Sequence, residues 1–174
     1  LDQDRIDPVV AELRTASGGE VHGYACDITD RTVVYDVADR VRADVGEVDI
    51  VVNNAGVVSG RRLLDIPDEK IATTFAVNTL ALYWVTKAFL GGMIERDRGH
   101  VVTVASAAGL VGVARQTDYS ASKAAAVGFD ESLRVELAQF APGVTTAVVC
   151  PFYIDTGMFE GVKSRIPVLL PILK

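Results

Sequence analysis

Tyr119 and Lys123 stand four residues apart in the run Tyr119-Ser120-Ala121-Ser122-Lys123. On a helix that spacing puts both side chains on one face, one turn apart. A phenol with an ordinary pKa of about 10 shuttles protons poorly near neutral pH. An ammonium about 4 Å away favours the phenolate by at most roughly 4 kcal/mol at an effective dielectric of about 20. That energy corresponds to about three pKa units. The pair therefore suits general acid/base work, although the same spacing by itself also describes an exposed helical pair.

The surroundings favour the chemical reading. Ser106 closes the apolar run HVVTVAS thirteen positions before Tyr119, and α/β folds bind their ligands at the carboxyl ends of strands. From there its hydroxyl can hold a substrate oxygen while Tyr119 transfers a proton. Asn53-Asn54-Ala55-Gly56 directly follows VDIVV; its small residues let a flat ligand approach the backbone, and its amides can pin neighbouring strands. Asn78 is a polar residue in the otherwise apolar stripe FAVNTLAL, readable as a site residue or as a buried amide satisfying the backbone. Asp27 ends a short apolar run, where its carboxylate can accept from an adenine amine or cap a loop.

The elements that would position these residues are legible in the hydrophobic pattern. Val48 to Asn53, His100 to Ala105 and Val144 to Cys150 are β-branched and apolar almost throughout, as parallel strands covered by helices on both faces are. Helices are expected from Asp30 to Val45, with Asp30 as N-cap, and from Pro67 to Leu90, with Asp65 and Asp68 as possible caps and Gly91-Gly92 as the stop. Thr117 to Phe140 is a third, ending at Pro142-Gly143. Leu1 to Ala16 reads as a helix and Val21 to Ala25 as a strand. Alternating strands and helices predict one doubly wound, Rossmann-type α/β domain over 1–174, with a parallel sheet and right-handed crossovers.

Composition narrows the classes. The net charge of −6 argues against a nucleic-acid partner. No run of about 18 apolar residues is present to span a membrane, and LDQDRIDPVV is too charged for a signal peptide. Cys26 and Cys150 read as unpaired buried thiols of a cytoplasmic protein, and neither they nor His22 and His100 offer a metal site.

Taken together, Asp27, the Asn-Asn-Ala-Gly at 53 to 56, Asn78, Ser106, Tyr119 with Lys123, and the Pro151 to Thr156 segment resemble the classical short-chain dehydrogenase/reductase family, in its order and at its spacings. The resemblance implies an oxidoreductase using NAD or NADP, with a lean to NAD. Tyr119 would be the general acid/base, and Lys123 would lower its pKa and hold the nicotinamide ribose. Ser106 would orient the substrate oxygen, and Asn78 would hold a water linking Lys123 to solvent. Asp27 and Ile28 would border the adenine, and Asn54, Ala55 and Gly56 the adenosine ribose. Pro151, Ile154 and Thr156 would contact the carboxamide end of the nicotinamide. The family also implies a homodimer or homotetramer, for which Ala124, Val127, Leu133 and Leu137 offer apolar positions.

Two departures from the family pattern carry expectations. The Gly-rich pyrophosphate loop and the strand end that separates NAD from NADP would precede Leu1, and the last helix and strand would follow Lys174, so the sequence reads as a piece truncated at both ends. After Pro151, the run Phe152-Tyr153-Ile154-Asp155-Thr156-Gly157-Met158-Phe159 and the later Val168-Leu169-Leu170 resemble the retinol and hydroxysteroid dehydrogenase-like branch, which implies a lipophilic alcohol of lipid metabolism as substrate. A 3-oxoacyl-thioester reductase or a sugar dehydrogenase could use the same site, and a cofactor-sensing regulatory protein could use the same fold.

Overall fold

The computed structural model describes residues 2–152, so the expectations placed on Tyr153, Ile154, Thr156, Met158, Phe159 and residues 168–170 lie outside the described residues. Three strands, β1 (Ile50–Asn53), β2 (Gly99–Val104) and β3 (Val144–Val149), form a parallel sheet in the order β1-β2-β3. Val51 lies opposite Val101, and Val101 opposite Thr146. Parallel neighbours need crossovers, and the long helical segments between the strands supply them. The helices are α1 (Gln3–Ser17), α2 (Arg31–Asp44), α3 (Asp68–Phe75), α4 (Ala81–Glu95) and α5 (Thr117–Phe140). Among these residues no helix is long and apolar enough to cross a membrane.

The core lies between the sheet and the helices α4 and α5. Val51, Val101 and Val144 from the strands meet Met93 of α4 and Leu133 and Leu137 of α5, with Phe89 and Phe129 packed around them. Each such side chain contributes about 1.5–3 kcal/mol on burial. Leu133 and Leu137 are thus committed to the core rather than available to a second subunit, while Ala124 is exposed. Within β1, Val51 and Asn53 are buried, but Ile50 and Val52 are 61% and 57% exposed. The expected cover on both faces is therefore seen on one face among the described residues.

Local chemistry explains most helix ends. Asp30 caps α2 by accepting from the Thr32 amide at 2.8 Å, and α1 ends at Gly18, whose φ of 66° allows its N–H to reach Arg14 O at 3.0 Å. Three expectations need correction. Val21 to Ala25 is not paired as a strand among the described residues: a strand needs a neighbour, and here side chains of α1 bond three of its backbone groups. Arg14 donates to Val21 O at 2.9 Å, while Gln3 donates to Gly23 O and accepts from the Ala25 amide, each at 3.1 Å. Gly91-Gly92 does not stop α4, which continues to Glu95. Neither Asp65 nor Asp68 caps α3, whose N-cap is Pro67.

The expected single helix from Pro67 is also broken in its middle. A π turn, Ala76–Leu80, separates α3 from α4 and carries Asn78 inward to 1% exposure. Such insertions often mark functional positions. Asn78 Oδ1 accepts from the Val57 amide at 2.8 Å, and its Nδ2 donates to Val57 O and to Ser122 Oγ, both at 2.9 Å. One side-chain amide thereby satisfies both backbone groups of Val57, as a neighbouring strand would, and fixes the loop after β1 against α5. Asn78→Ala leaves those two groups without their partner. It is expected to lower unfolding free energy by about 1–3 kcal/mol in urea titration, with the Val57 amide losing hydrogen-exchange protection before the amides of β2.

Candidate active site

Lys123 is the residue around which the site is built. It is 4% exposed, and its Nζ donates to the carbonyl of Val104, the last residue of β2, at 2.6 Å. Tyr119, one turn earlier and equally buried, turns its ring toward that ammonium, with Nζ 5.9 Å from the ring centroid. Burial holds the Lys123 pKa below the ordinary lysine range, and the nearby Cys150 sulfur acts the other way. The two residues are therefore buried partners at the end of the sheet and not an exposed helical pair.

The loop after β1 closes on the same point. A Cβ on Gly56 would sit 3.4 Å from Lys123 Nζ and 3.6 Å from Asn78 Oδ1, so glycine keeps open the approach to both. Asn54 and Ala55 beside it are exposed at the strand's carboxyl end. Asn53, by contrast, is buried, and its amide donates to Thr86 Oγ1 of α4 at 3.0 Å. It pins strand to helix, where the sequence suggested strand to strand.

Ser106 follows β2 and caps a short 3-10 turn, Ala107–Gly109, its Oγ accepting from the Ala108 amide at 3.1 Å. Gly109 makes this docking possible, because a Cβ there would lie 2.7 Å from the Lys123 backbone carbonyl. Pairing continues beyond the strands: the Ala105 amide donates to Val149 O at 2.8 Å and the Ala107 amide to Pro151 O at 2.9 Å. That pairing sets Pro151 beside Ser106. The two line an open cleft together with Val111, Val113, Gln116 and Phe152.

Asp27 acts as a loop cap. Its Oδ1 accepts from the Thr29 hydroxyl at 2.7 Å and the Thr29 amide at 3.0 Å, and these bonds hold its carboxyl below the usual carboxylate range. Ile28 beside it is half-buried. His100 Nδ1 pairs with Thr145 Oγ1 at 2.7 Å, a structural role, and both cysteines are free and half-buried.

Three polar residues escaped the sequence reading. Ser122, fully buried, donates to Tyr119 O at 2.8 Å while accepting from Asn78. Asp118 is 4% exposed, and its two oxygens accept from Ser59 Oγ at 2.8 Å and Thr74 Oγ1 at 2.9 Å. A carboxylate in a helix's first turn ordinarily reads as an exposed partner of the helix dipole, so nothing in the sequence marked it as buried. Gln116, just before α5, is 8% exposed and faces the cleft.

The arrangement fits a nicotinamide nucleotide. Asn54 to Gly56 present small, open backbone at a strand end, next to a lysine donor and a buried phenol, with a mainly apolar cleft beyond Ser106 for a second reactant. Comparison with known proteins agrees with that geometry. The family model described as short chain dehydrogenase matches residues 1–166. Epidermal retinol dehydrogenase 2 of Mus musculus is 51% identical over 161 residues, covering 92% of this chain and 52% of its own length. Retinol dehydrogenase 10-B of Danio rerio is 54% identical over 147 residues, covering 84% and 44%. The chain thus spans about half the length of these relatives. A crystal structure of a short-chain dehydrogenase from Streptomyces avermitilis superposes with a TM-score of 0.79 at 30% identity, over 87% of this chain and 55% of that one. On the match of the family model and the shared fold, the chain belongs to the short chain dehydrogenase family.

Proposed function

We propose that this chain forms the catalytic part of an oxidoreductase that moves a hydride between NAD or NADP and a lipophilic, retinol- or steroid-like alcohol or its carbonyl. The observation that carries the reading is the buried Tyr119–Lys123 pair at the carboxyl end of β2, beside Ser106. When bound, the nicotinamide ring supplies the hydride acceptor or donor. In alcohol oxidation the Tyr119 phenolate oxygen takes the proton of the substrate hydroxyl, and in carbonyl reduction the phenol returns it. Ser106 Oγ holds the reacting oxygen. The Lys123 ammonium favours the phenolate through its field, which acts strongly because the pair is shielded from water. Asn78 is a positioning residue: its three side-chain bonds hold the loop at Val57 and the Ser122 hydroxyl that supports the Tyr119 carbonyl.

The lipophilic assignment is supported by the walls of the cleft, where Val111, Val113, Pro151 and Phe152 face Ser106, and by the retinol dehydrogenases among its relatives. Leu80, Tyr83, Val135 and Phe140, all between 43% and 56% exposed, support a homodimer or homotetramer. The free thiols of Cys26 and Cys150 suit a reducing, cytoplasmic setting.

Tyr119→Phe is expected to lower kcat by about 10²–10⁴-fold, the range for a lost general acid/base. Cofactor affinity, read by fluorescence titration, is expected to persist; near-full activity would overturn the mechanism. Phe152→Ser is expected to cut kcat/KM for a retinoid or steroid several times more than for a short secondary alcohol, since each buried methylene contributes about 0.8 kcal/mol. Equal losses would leave the hydride-transfer assignment standing and remove the lipophilic one.

A further inference from the structure

The cleft beyond Ser106 contains a polar group that the proposed proton and hydride transfers do not use. Gln116 is 92% buried by its 8% exposure, yet among the described residues its side-chain amide has no hydrogen-bond partner. Only its backbone is engaged: its N–H donates to Val113 O at 3.2 Å, and its carbonyl accepts from the Ser120 amide at 2.7 Å. The neighbouring buried polar side chains behave differently. Asn53, Asn78, Asp118 and Ser122 each have side-chain partners within 3.0 Å. Its amide atoms are not sealed from solvent, so the side chain presents a free donor and acceptor to the cleft.

We infer that Gln116 is a specificity-determining residue that reads a second oxygen on the substrate, carried close to the reacting carbon. This rests on the reaction proposed above. Gln116 lies three residues before Tyr119 and shares its cleft with Ser106, so the group it meets belongs to the end of the substrate at which hydride transfer takes place. The rest of that wall is Val111, Val113, Pro151 and Phe152, which suits a hydrocarbon body. A primary amide both donates and accepts, and so it can pair with a hydroxyl or a carbonyl. Among the lipophilic alcohols and ketones proposed above, those bearing a neighbouring hydroxyl or carbonyl are then favoured over those of equal length with one oxygen. Sites that hydrogen-bond a substrate group discriminate strongly against analogues lacking it, because the protein group is then left unpaired.

The test compares kcat/KM of the purified protein for a medium-chain secondary alcohol, the vicinal diol of the same length, and that diol with its second hydroxyl replaced by hydrogen-free fluorinated carbon. The wild type is expected to favour the diol over both analogues by about tenfold or more, the equivalent of about 1.4 kcal/mol. In Gln116→Met, close in size and apolar, that ratio is expected to collapse toward unity. A wild type that does not prefer the diol overturns the inference without any variant, and so does a Gln116→Met protein of unchanged melting temperature that keeps the preference. Absence of turnover on all three, and on a retinoid and a steroid alcohol, with either cofactor would instead refute the proposed function. In that event the ligand-induced rise in melting temperature, measured for the same three compounds, still reads Gln116, and an equal rise for all three overturns the inference.

Discussion

A lysine ammonium buried at the end of a β-strand is the constraint to which the rest of this structure answers. Removing such a charge from water costs several kcal/mol, and the Val104 carbonyl, 2.6 Å from Lys123 Nζ, offsets part of that cost with a short charge-assisted bond. The bond requires α5 to lie in one register against β2. That register in turn requires glycine at 109, where a side chain would strike the Lys123 backbone, and leaves room at Gly56 for Nζ itself. Tyr119, fixed one turn away on the same helix, then has its position determined by the same contact. Burial that penalises the ammonium also strengthens its field on its neighbours, so the feature that is expensive for folding is the one that is useful for proton transfer.

A polar frame holds this point in place. Asn53 ties β1 to α4, Asn78 ties the following loop to α5 through Val57 and Ser122, and Asp118 ties Ser59 and Thr74 to the start of α5. Below it, Val51, Met93, Val101, Leu137 and Val144 form an apolar core that supplies cohesion without direction. The division is physically sensible: hydrophobic contacts are non-directional, whereas buried hydrogen bonds are lost unless their geometry is kept. The site thus sits on the part of the molecule where position is specified most sharply. Gln116, whose side-chain amide has no hydrogen-bond partner among the described residues, faces the cleft instead of the frame.

Much of this was readable from the sequence, and the failures are instructive. Three strands emerged from β-branched apolar runs, and Asp30 was recognisable as a cap because a local bond to residues two and three positions on makes it one. Tyr119 with Lys123 followed from helical spacing and Gly56 from a strand end, while Asn78 joined them only through the family resemblance. What depends on distant partners was not legible. Val21 to Ala25 has strand-like residues but no strand beside it among the described residues, as the family's strand order implies, and what the pattern did not show is that Gln3 and Arg14 of α1 bond its backbone. Gly91-Gly92 looked like a stop, yet α4 runs through both to Glu95, held by its packing against the sheet and α2. The π turn at Ala76–Leu80 leaves no mark on an apolar run, and the burial of Asp118 depends on Ser59 and Thr74, separated from it by 59 and 44 residues. Patterns report what a residue does with its near neighbours; the site is assembled largely from far ones.

The claim on which the account turns is that the Lys123 charge sets the protonation of the group that takes the substrate's proton. It is tested most directly by the pH dependence of kcat/KM for alcohol oxidation in the wild type and in Lys123→Met, which keeps the length of the side chain and removes its charge. Oxidation needs the basic form of Tyr119, so the rate rises with pH through the apparent pKa of that step, and loss of a neighbouring positive charge raises that pKa. The rising limb is expected to move to higher pH in the variant by roughly one to three units. A limb that stays where it is in the wild type, in a variant that still binds cofactor and turns over, would contradict it.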